Sequence, residues 1–169
     1  MAMVGLFWIT EDHVYVGAAP TGTASGVRLA KDGVEILGLG RGRSWGWDEV
    51  RGIDVRDVAV RSPARRLASM AFDSLVVLVT GDGEHPPAFT VLVETEADGT
   101  VEADARVAVP GGIHTPDEYD LSRTLLTRLV DGATPLEDLL VWRRDEPEDV
   151  APTRDERLAL LRQWTTASA

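Results

Sequence analysis

The sequence predicts an α+β fold, in which an antiparallel β-barrel or sandwich is closed by an amphipathic helix and followed by additional C-terminal helices. Apolar residues alternate at a period of two through the first two thirds of the chain. After Pro110-Gly111-Gly112 the period changes to about 3.6, which indicates helices. The 169 residues are 44% hydrophobic and 27% charged, as expected for one folded, soluble domain.

Three segments of the N-terminal half are predicted as strands. Leu6 to Thr10 and His13 to Val16 form one strand or a bent pair, and Val27 to Ile36 is a hairpin that turns at Asp32-Gly33 with positive φ. Ser44 to Val60 reads as one long strand. Its apolar residues change from one face of the strand to the other after Val55, which predicts a bulge or turn near Arg56-Asp57.

The middle of the chain continues this pattern. Ser62 to Phe72 is predicted as a short helical turn, because proline suits the first helical position. Leu75 to Val79 is a continuous apolar run, typical of a strand covered on both faces. Phe89 to Thr95 and the alternating segment Val101 to Val109 follow as strands, joined by a turn at Asp98-Gly99.

Three helix starts carry the same capping chemistry. Each has threonine at the first position and glutamate three residues later, at Thr115/Glu118, Thr134/Glu137 and Thr153/Glu156. The first helix, over 116–131, buries Leu121, Leu125 and Leu129 and ends at Asp131-Gly132 with a left-handed glycine. The second runs from Pro135 to about Arg144, and the third to about Trp164.

The domain organisation follows from these elements. Residues 1–144 form a single β-rich domain with its closing helices, 145–152 an acidic linker, and 153–169 a C-terminal helix. The apolar residues of that helix are Leu158, Leu161 and Trp164. They either dock on the chain's own domain, which we favour, or bind a neighbouring subunit or another protein.

Charge and composition exclude several function classes. The net charge of -11 argues against nucleic-acid binding and against attraction to an anionic membrane. The stretch Arg41 to Arg66 nevertheless contains seven arginines and four acidic residues. We expect this stretch to pair with the acidic helices of the same molecule, and an external anionic partner is the alternative.

Cysteine is absent, which excludes disulfides, thiolate nucleophiles and cysteine-ligated metals. Met1 to Thr10 has neither a basic leader nor a cleavage pattern, and no apolar stretch approaches the roughly 20 residues that span a bilayer. We therefore expect no signal peptide and a cytoplasmic protein.

One local motif carries a family resemblance. Ser44-Trp-Gly-Trp-Asp-Glu-Val50, followed by Ile53-Asp-Val55 and preceded by the glycine-rich hairpin Val27 to Gly42, resembles the Trp-Asp-x-Ile/Val segment of bacterial pleckstrin-homology-like domains. The resemblance covers about the first 130 residues. It implies a partially opened barrel that serves as a binding or assembly module, without catalytic activity. Family members that bind phosphoinositides use Lys and Arg of the first loop, and Gly17 to Gly26 has neither, so phosphoinositide binding is not expected.

Two candidate binding sites lie near this motif. Trp45 and Trp47 share a strand face and, with Arg43 or Arg51, form an aromatic recognition surface. We expect at least one of the two tryptophans in the core, with Trp45 the more exposed. The loop Gly38 to Arg43 presents Arg41 and Arg43 to an anion, although a plain turn is the favoured interpretation.

Catalytic and metal sites are not predicted. His114, Asp117 and Glu118 have metal-binding chemistry, but helix capping and the helix dipole already explain the two acids. The serines lack the Gly-x-Ser-x-Gly context of a nucleophile, and no cofactor motif is present.

The sequence thus predicts a non-catalytic binding or scaffold protein that acts through a protein partner or self-association. The contacts are expected at the exposed edge of the sheet or at the C-terminal helices. The alternative is a small-molecule or anion-binding sensor, or a small enzyme, that uses the barrel mouth with Arg41, Arg43 and His114.

Overall fold

A computed structural model describes residues 2–38, 42–61, 88–108, 113–146 and 151–166. The helical turn predicted over Ser62 to Phe72, the strand predicted over Leu75 to Val79, and Arg41 lie outside the described residues. The described part is a mixed α+β structure of two antiparallel sheets and three helices, as the sequence predicts at this level.

The first sheet is a meander of six strands, each hydrogen-bonded to the next. The strands are β1 (Ala2–Val4), β2 (Phe7–Ile9), β3 (Val14–Val16), β4 (Gly26–Ala30), β5 (Gly33–Leu37) and β6 (Arg43–Gly46). The segment predicted as one strand or a bent pair is the hairpin β2–β3, and β1 adds a strand that the sequence pattern did not reveal.

The second sheet contains β7 (Val50–Arg56), β8 (Ala88–Thr95) and β9 (Gly99–Arg106). The single strand predicted over Ser44 to Val60 is therefore wrong, because the chain turns at 47–49 and passes from one sheet to the other. Gly46 and Glu49 close this turn through a hydrogen bond from the Glu49 N–H to the Gly46 carbonyl. The predicted break near Arg56-Asp57 is confirmed, since β7 ends there and Asp57 has a φ of +61°.

The two predicted hairpin turns form by different means. Gly99 has a φ of +68°, the left-handed conformation that the Asp98-Gly99 prediction requires. The turn before Gly33 is where the sequence places it, but neither Asp32 nor Gly33 has positive φ. Glycine is needed at 33 for another reason, because a Cβ there would lie 1.9 Å from the carbonyl oxygen of Trp45 in the neighbouring strand.

The core lies between the two sheets and under the helices. Its largest fully buried side chains from the strands are Phe7, Ile9, Leu29, Val4 and Val14. Hydrogen bonds join the sheets at two corners, from the Ala18 N–H to the Arg106 carbonyl and from Trp45 Nε1 of β6 to Asp98 Oδ2 of the β8–β9 turn. No ladder among the described strands joins the two sheets into a closed barrel.

Three helices follow the sheets, namely α1 (Pro116–Val130), α2 (Leu136–Asp145) and α3 (Arg154–Thr166). The capping boxes predicted at Thr115/Glu118 and Thr153/Glu156 are both confirmed. α1 ends before Gly132, whose φ of +70° is the predicted left-handed cap. Within the described part of the chain, none of these helices has the length and apolar character to cross a membrane.

The capping box predicted at Thr134 is wrong. α2 begins after Pro135 and has no side-chain cap. The Thr134 hydroxyl instead donates to the carbonyl oxygen of Trp164 at 2.7 Å and accepts from Arg128 Nε at 2.9 Å. Thr134 therefore ties the α1–α2 connection to the end of α3 rather than starting a helix.

The C-terminal helix is docked on its own domain, as favoured from the sequence. Leu158, Leu161 and Trp164 are buried, and the Trp164 ring packs edge-on against Trp142 of α2 with 5.6 Å between centroids. A Cβ at Gly5, in the β1–β2 turn, would lie 3.0 Å from Leu161. α3 thus packs mainly against α1, with further contacts to β1 and to Trp142 of α2.

We predict that Leu161→Ala lowers the free energy of unfolding by about 2–5 kcal/mol, because it opens a cavity where α3 meets the β1–β2 turn. Urea unfolding followed by tryptophan fluorescence measures the change. Leu160→Ala is the matched control, since Leu160 is only partly buried and its truncation should cost less. Equal midpoints for the two variants would contradict the docking of α3.

Candidate binding groove

The tryptophans do not form the surface that the sequence suggested. Trp45 is only 6% exposed, and its Nε1 donates to Asp98 Oδ2 at 2.9 Å, so the expectation that Trp45 is the exposed one is wrong. Its position opposite Val34 in β5 turns the ring into the core. Trp47 lies beyond the end of β6, is partly buried, and donates to the carbonyl oxygen of Ala30 at 3.0 Å.

Two described arginines of the basic stretch, Arg43 and Arg51, pair within the molecule, but with a turn of the second sheet and not with the helices as expected. Arg43 lies 4.0 Å from Asp98 and Arg51 binds Glu96, and both acids belong to the β8–β9 turn. With Trp45 buried, Arg43 and Trp45 form no joint anion site in the part of the chain that the structure describes. Leu158, Leu161 and Trp164 are likewise taken up by the chain's own core.

Glu118 connects several elements at the start of α1. It is 4% exposed, and its carboxylate accepts from the Thr115 hydroxyl at 3.0 Å and from Arg157 Nε of α3 at 3.0 Å. Burial alone would raise the pKa of Glu118, but the hydrogen bonds from Arg157 and Thr115 outweigh burial and lower it. A residue that the sequence identified as a cap also anchors the C-terminal helix.

His114 lies beside this ion pair and is 1% exposed. Its backbone is held by hydrogen bonds to Ala59 and Arg61, while neither ring nitrogen has a partner among the described residues. Burial lowers the pKa of His114; Glu118 opposes this shift and Arg157 adds to it. The described residues contain no group of three or more His, Cys, Asp or Glu that could hold a metal ion.

A concave surface lies between α1 and the outer face of the second sheet. This α1–β7 groove has a volume of about 700 Å³. Its sheet wall includes Arg51, Asp54, Arg56, Leu92, Glu94 and Thr100, and its helix wall includes Asp120, Arg123, Thr124, Thr127 and Asp131. Charges of both signs alternate along it, so the groove is polar without being uniformly basic or acidic.

β7 forms one wall of the groove and is an edge strand, paired only with β8 in the described part of the chain. Residues of an antiparallel strand alternately face their partner strand and the opposite edge. Val55 lies opposite Val91, and its N–H donates to Asp54 Oδ1 at 2.9 Å. The Val55 amide therefore points to the outer edge of β7, where a side chain replaces the missing strand.

An ion pair with α1 fixes the Asp54 carboxylate. Arg123 donates from Nε to Oδ1 at 3.0 Å and from a terminal nitrogen to Oδ2 at 3.2 Å. The same guanidinium lies 5.7 Å from the Tyr119 ring centre, a cation–π distance. The hydrogen bond from Arg123 to Asp54 raises the pKa of the guanidinium, which stays charged. Helix and edge strand are thus joined across the groove.

Sequence reasoning named neither Asp54 nor Arg123 as a site residue. Asp54 stands between two buried strand residues, Ile53 and Val55, which marks it as outward-facing. Nothing in the pattern connects it with an arginine 69 positions later.

Comparisons of the chain with protein-family models, with curated proteins and with solved structures find no match.

We predict that His114→Leu weakens the dependence of stability on pH. Because the folded-state pKa of His114 lies below its ordinary 6.5, the unfolded chain binds more protons, and stability is lost as the pH falls below 6.5 toward the folded-state value. Leucine removes this loss together with two unpartnered polar atoms. Urea unfolding between pH 5 and 7.5 should show a shallower slope and an undiminished stability at pH 7.

Val58→Ala is the control, since Val58 is buried and carries no titratable group, so its truncation lowers stability without changing the slope of the parent protein. A slope in His114→Leu as steep as in the parent protein would show that His114 is not the titrating group.

Proposed function

We propose that the protein is a non-catalytic protein-binding module with a pleckstrin-homology-like arrangement, and that it binds an extended segment of a partner in the α1–β7 groove. Two sheets that meet at corners without closing among the described strands support the partially opened barrel that the resemblance implies. The segment Ser44 to Val50, which carries the resemblance, forms β6 and the turn into β7. α1 follows the last strand, in the place of the closing helix.

The observation that carries the proposal is the unpaired edge of β7 beside this groove. An extended segment binds such an edge as an additional strand, because main-chain hydrogen bonds provide affinity and neighbouring pockets provide selectivity. Proteins usually protect free strand edges against accidental pairing. Here Asp54 covers the Val55 amide, while about 700 Å³ remain open beside it.

The charge supports a protein partner over nucleic acid or membrane, because the chain carries a net charge of -11. The proposal includes a cytoplasmic location, which the absence of cysteine suits. The alternative of an anion sensor at Arg41 and Arg43 loses support, because Trp45 is buried and Arg43 already lies near Asp98.

We predict that peptides selected on the full chain from a random nine-residue phage library bind in this groove. Fluorescence polarisation gives the affinity, and amide shifts in two-dimensional NMR should cluster in 51–56 and 120–131. Thr127→Trp places a large ring in the groove and should weaken binding at least tenfold. Thr127 is exposed on the groove side of α1, so the substitution should leave the fold intact.

Thr166→Trp is the matched control. Thr166 is also an exposed helical threonine whose hydroxyl donates to the carbonyl four residues earlier, but it lies on α3 outside the groove. Its binding should equal that of the parent chain. The proposal fails if the library yields no binder, or if both tryptophan variants bind equally well.

A further inference from the structure

We propose that Asp54 is an internal substitute for an acidic residue of the bound segment. On this inference, which rests on the proposed function, the groove selects an extended segment that carries a carboxylate side chain. The carboxylate of the segment replaces Asp54 on Arg123, and a main-chain carbonyl of the segment accepts the Val55 N–H.

The two interactions that Asp54 makes are those that an acidic residue in an added strand would make. Its Oδ1 accepts from a main-chain amide at the strand edge, as the carbonyl of a neighbouring strand does. Its carboxylate also binds Arg123 through two nitrogens, the geometry that guanidinium groups favour for carboxylates. One side chain of β7 therefore satisfies both groups that a partner would otherwise satisfy.

Displacing Asp54 from Arg123 costs little free energy because this ion pair is exposed. The side chains of Arg123 and Asp54 are 47% and 52% exposed, and pairs of this kind contribute little to stability. Competition from Asp54 should therefore weaken the affinity for a segment by about two- to fivefold. A substitute that bound much more tightly would close the groove permanently.

The charges of the groove favour an acid at this one point. Once Asp54 moves aside, Arg123 has an open guanidinium that the Tyr119 ring still orients. Arg56 lies in the sheet wall of the groove and has no ion pair among the described residues. Asp120, Asp131 and Glu94 line the rest of the groove and disfavour further acids, so a single carboxylate flanked by neutral residues fits best.

Three synthetic peptide pools test the inference. Each has nine residues, a mixture of Val, Thr and Ser at eight positions, and a fixed central Glu, Gln or Lys. Fluorescence polarisation on the full chain should show the Glu pool binding several-fold more tightly than the Gln pool, and the Lys pool most weakly. Asp54→Ala should tighten binding of the Glu pool about two- to fivefold. Arg123→Gln should remove the preference for Glu over Gln.

Glu137→Ala is the matched control, since it breaks an ion pair with Arg144 that is equally exposed, at 47% and 44%, but lies on α2 outside the groove. Glu137→Ala should leave the affinities for all three peptide pools unchanged. Amide hydrogen exchange adds a readout without peptide. The Val55 amide should exchange faster in Asp54→Ala, whereas Asp54→Asn keeps an oxygen for this amide and should exchange nearly as in the parent chain.

The outcomes separate this inference from the proposed function. If the three pools bind equally in the groove and Asp54→Ala changes nothing, the groove binds segments but Asp54 is no substitute, and only the inference falls. If no pool binds to either the parent chain or Asp54→Ala, the inference falls, and the proposed function falls with it when the phage library also yields no binder.

Discussion

The ion pair between Glu118 and Arg157 is the interaction on which the arrangement of the helices depends. Glu118 closes the capping box that starts α1, and Arg157 brings α3 against the same carboxylate. One turn further, Ser122 donates to the Glu118 carbonyl and accepts from the Leu6 amide of the β1–β2 turn. The Glu118 side chain is buried and the Arg157 side chain is partly exposed, so removal of Arg157 would leave a buried carboxylate without its charge partner, which lowers stability. The N-terminal strands, α1 and α3 therefore hold each other in place.

The position of α1 in turn determines the groove. Because one face of the helix is fixed by Leu125, Leu126 and Leu129 in the core, its other face stands at a set distance from the edge of β7. A groove with rigid walls needs little ordering when a segment binds, which favours affinity. The exposed pair Asp54–Arg123 spans the groove without closing it. The ion pair Glu118–Arg157, which supports α1, and the exposed pair Asp54–Arg123, which leaves the groove accessible, thus lie on opposite sides of α1.

The sequence predicted those features that depend on residues a few positions apart. The caps at Thr115 and Thr153 and the left-handed Gly99 and Gly132 are local chemistry, and all four are confirmed. Thr134 has the same local signal as the other two threonines, yet its hydroxyl finds a carbonyl 30 residues away, which no local pattern reveals.

The groove was beyond prediction for the same reason. The Trp45 ring points into the core because β6 pairs with β5 in the first sheet. The sequence pattern instead predicts one continuous strand across the turn at 47–49, which separates β6 from the second sheet. Asp54 and Arg123 meet only because α1 crosses β7, so their pairing is a property of the tertiary structure. The sequence predicted contacts at an exposed sheet edge without identifying the residues of that edge, and such contacts stay a prediction.

The central claim is that α1 and α3 form one support that holds a preformed groove at the edge of β7. Native-state amide hydrogen exchange of the full chain, resolved by NMR, tests it most directly. We predict that the central amides of α1 and α3 and the Asp54 amide of β7, which by the same alternation faces β8, open with the same free energy as the amides of β8. Exchange of α3 at a much lower free energy than α1, with α1 then loosening from β7, would contradict the account.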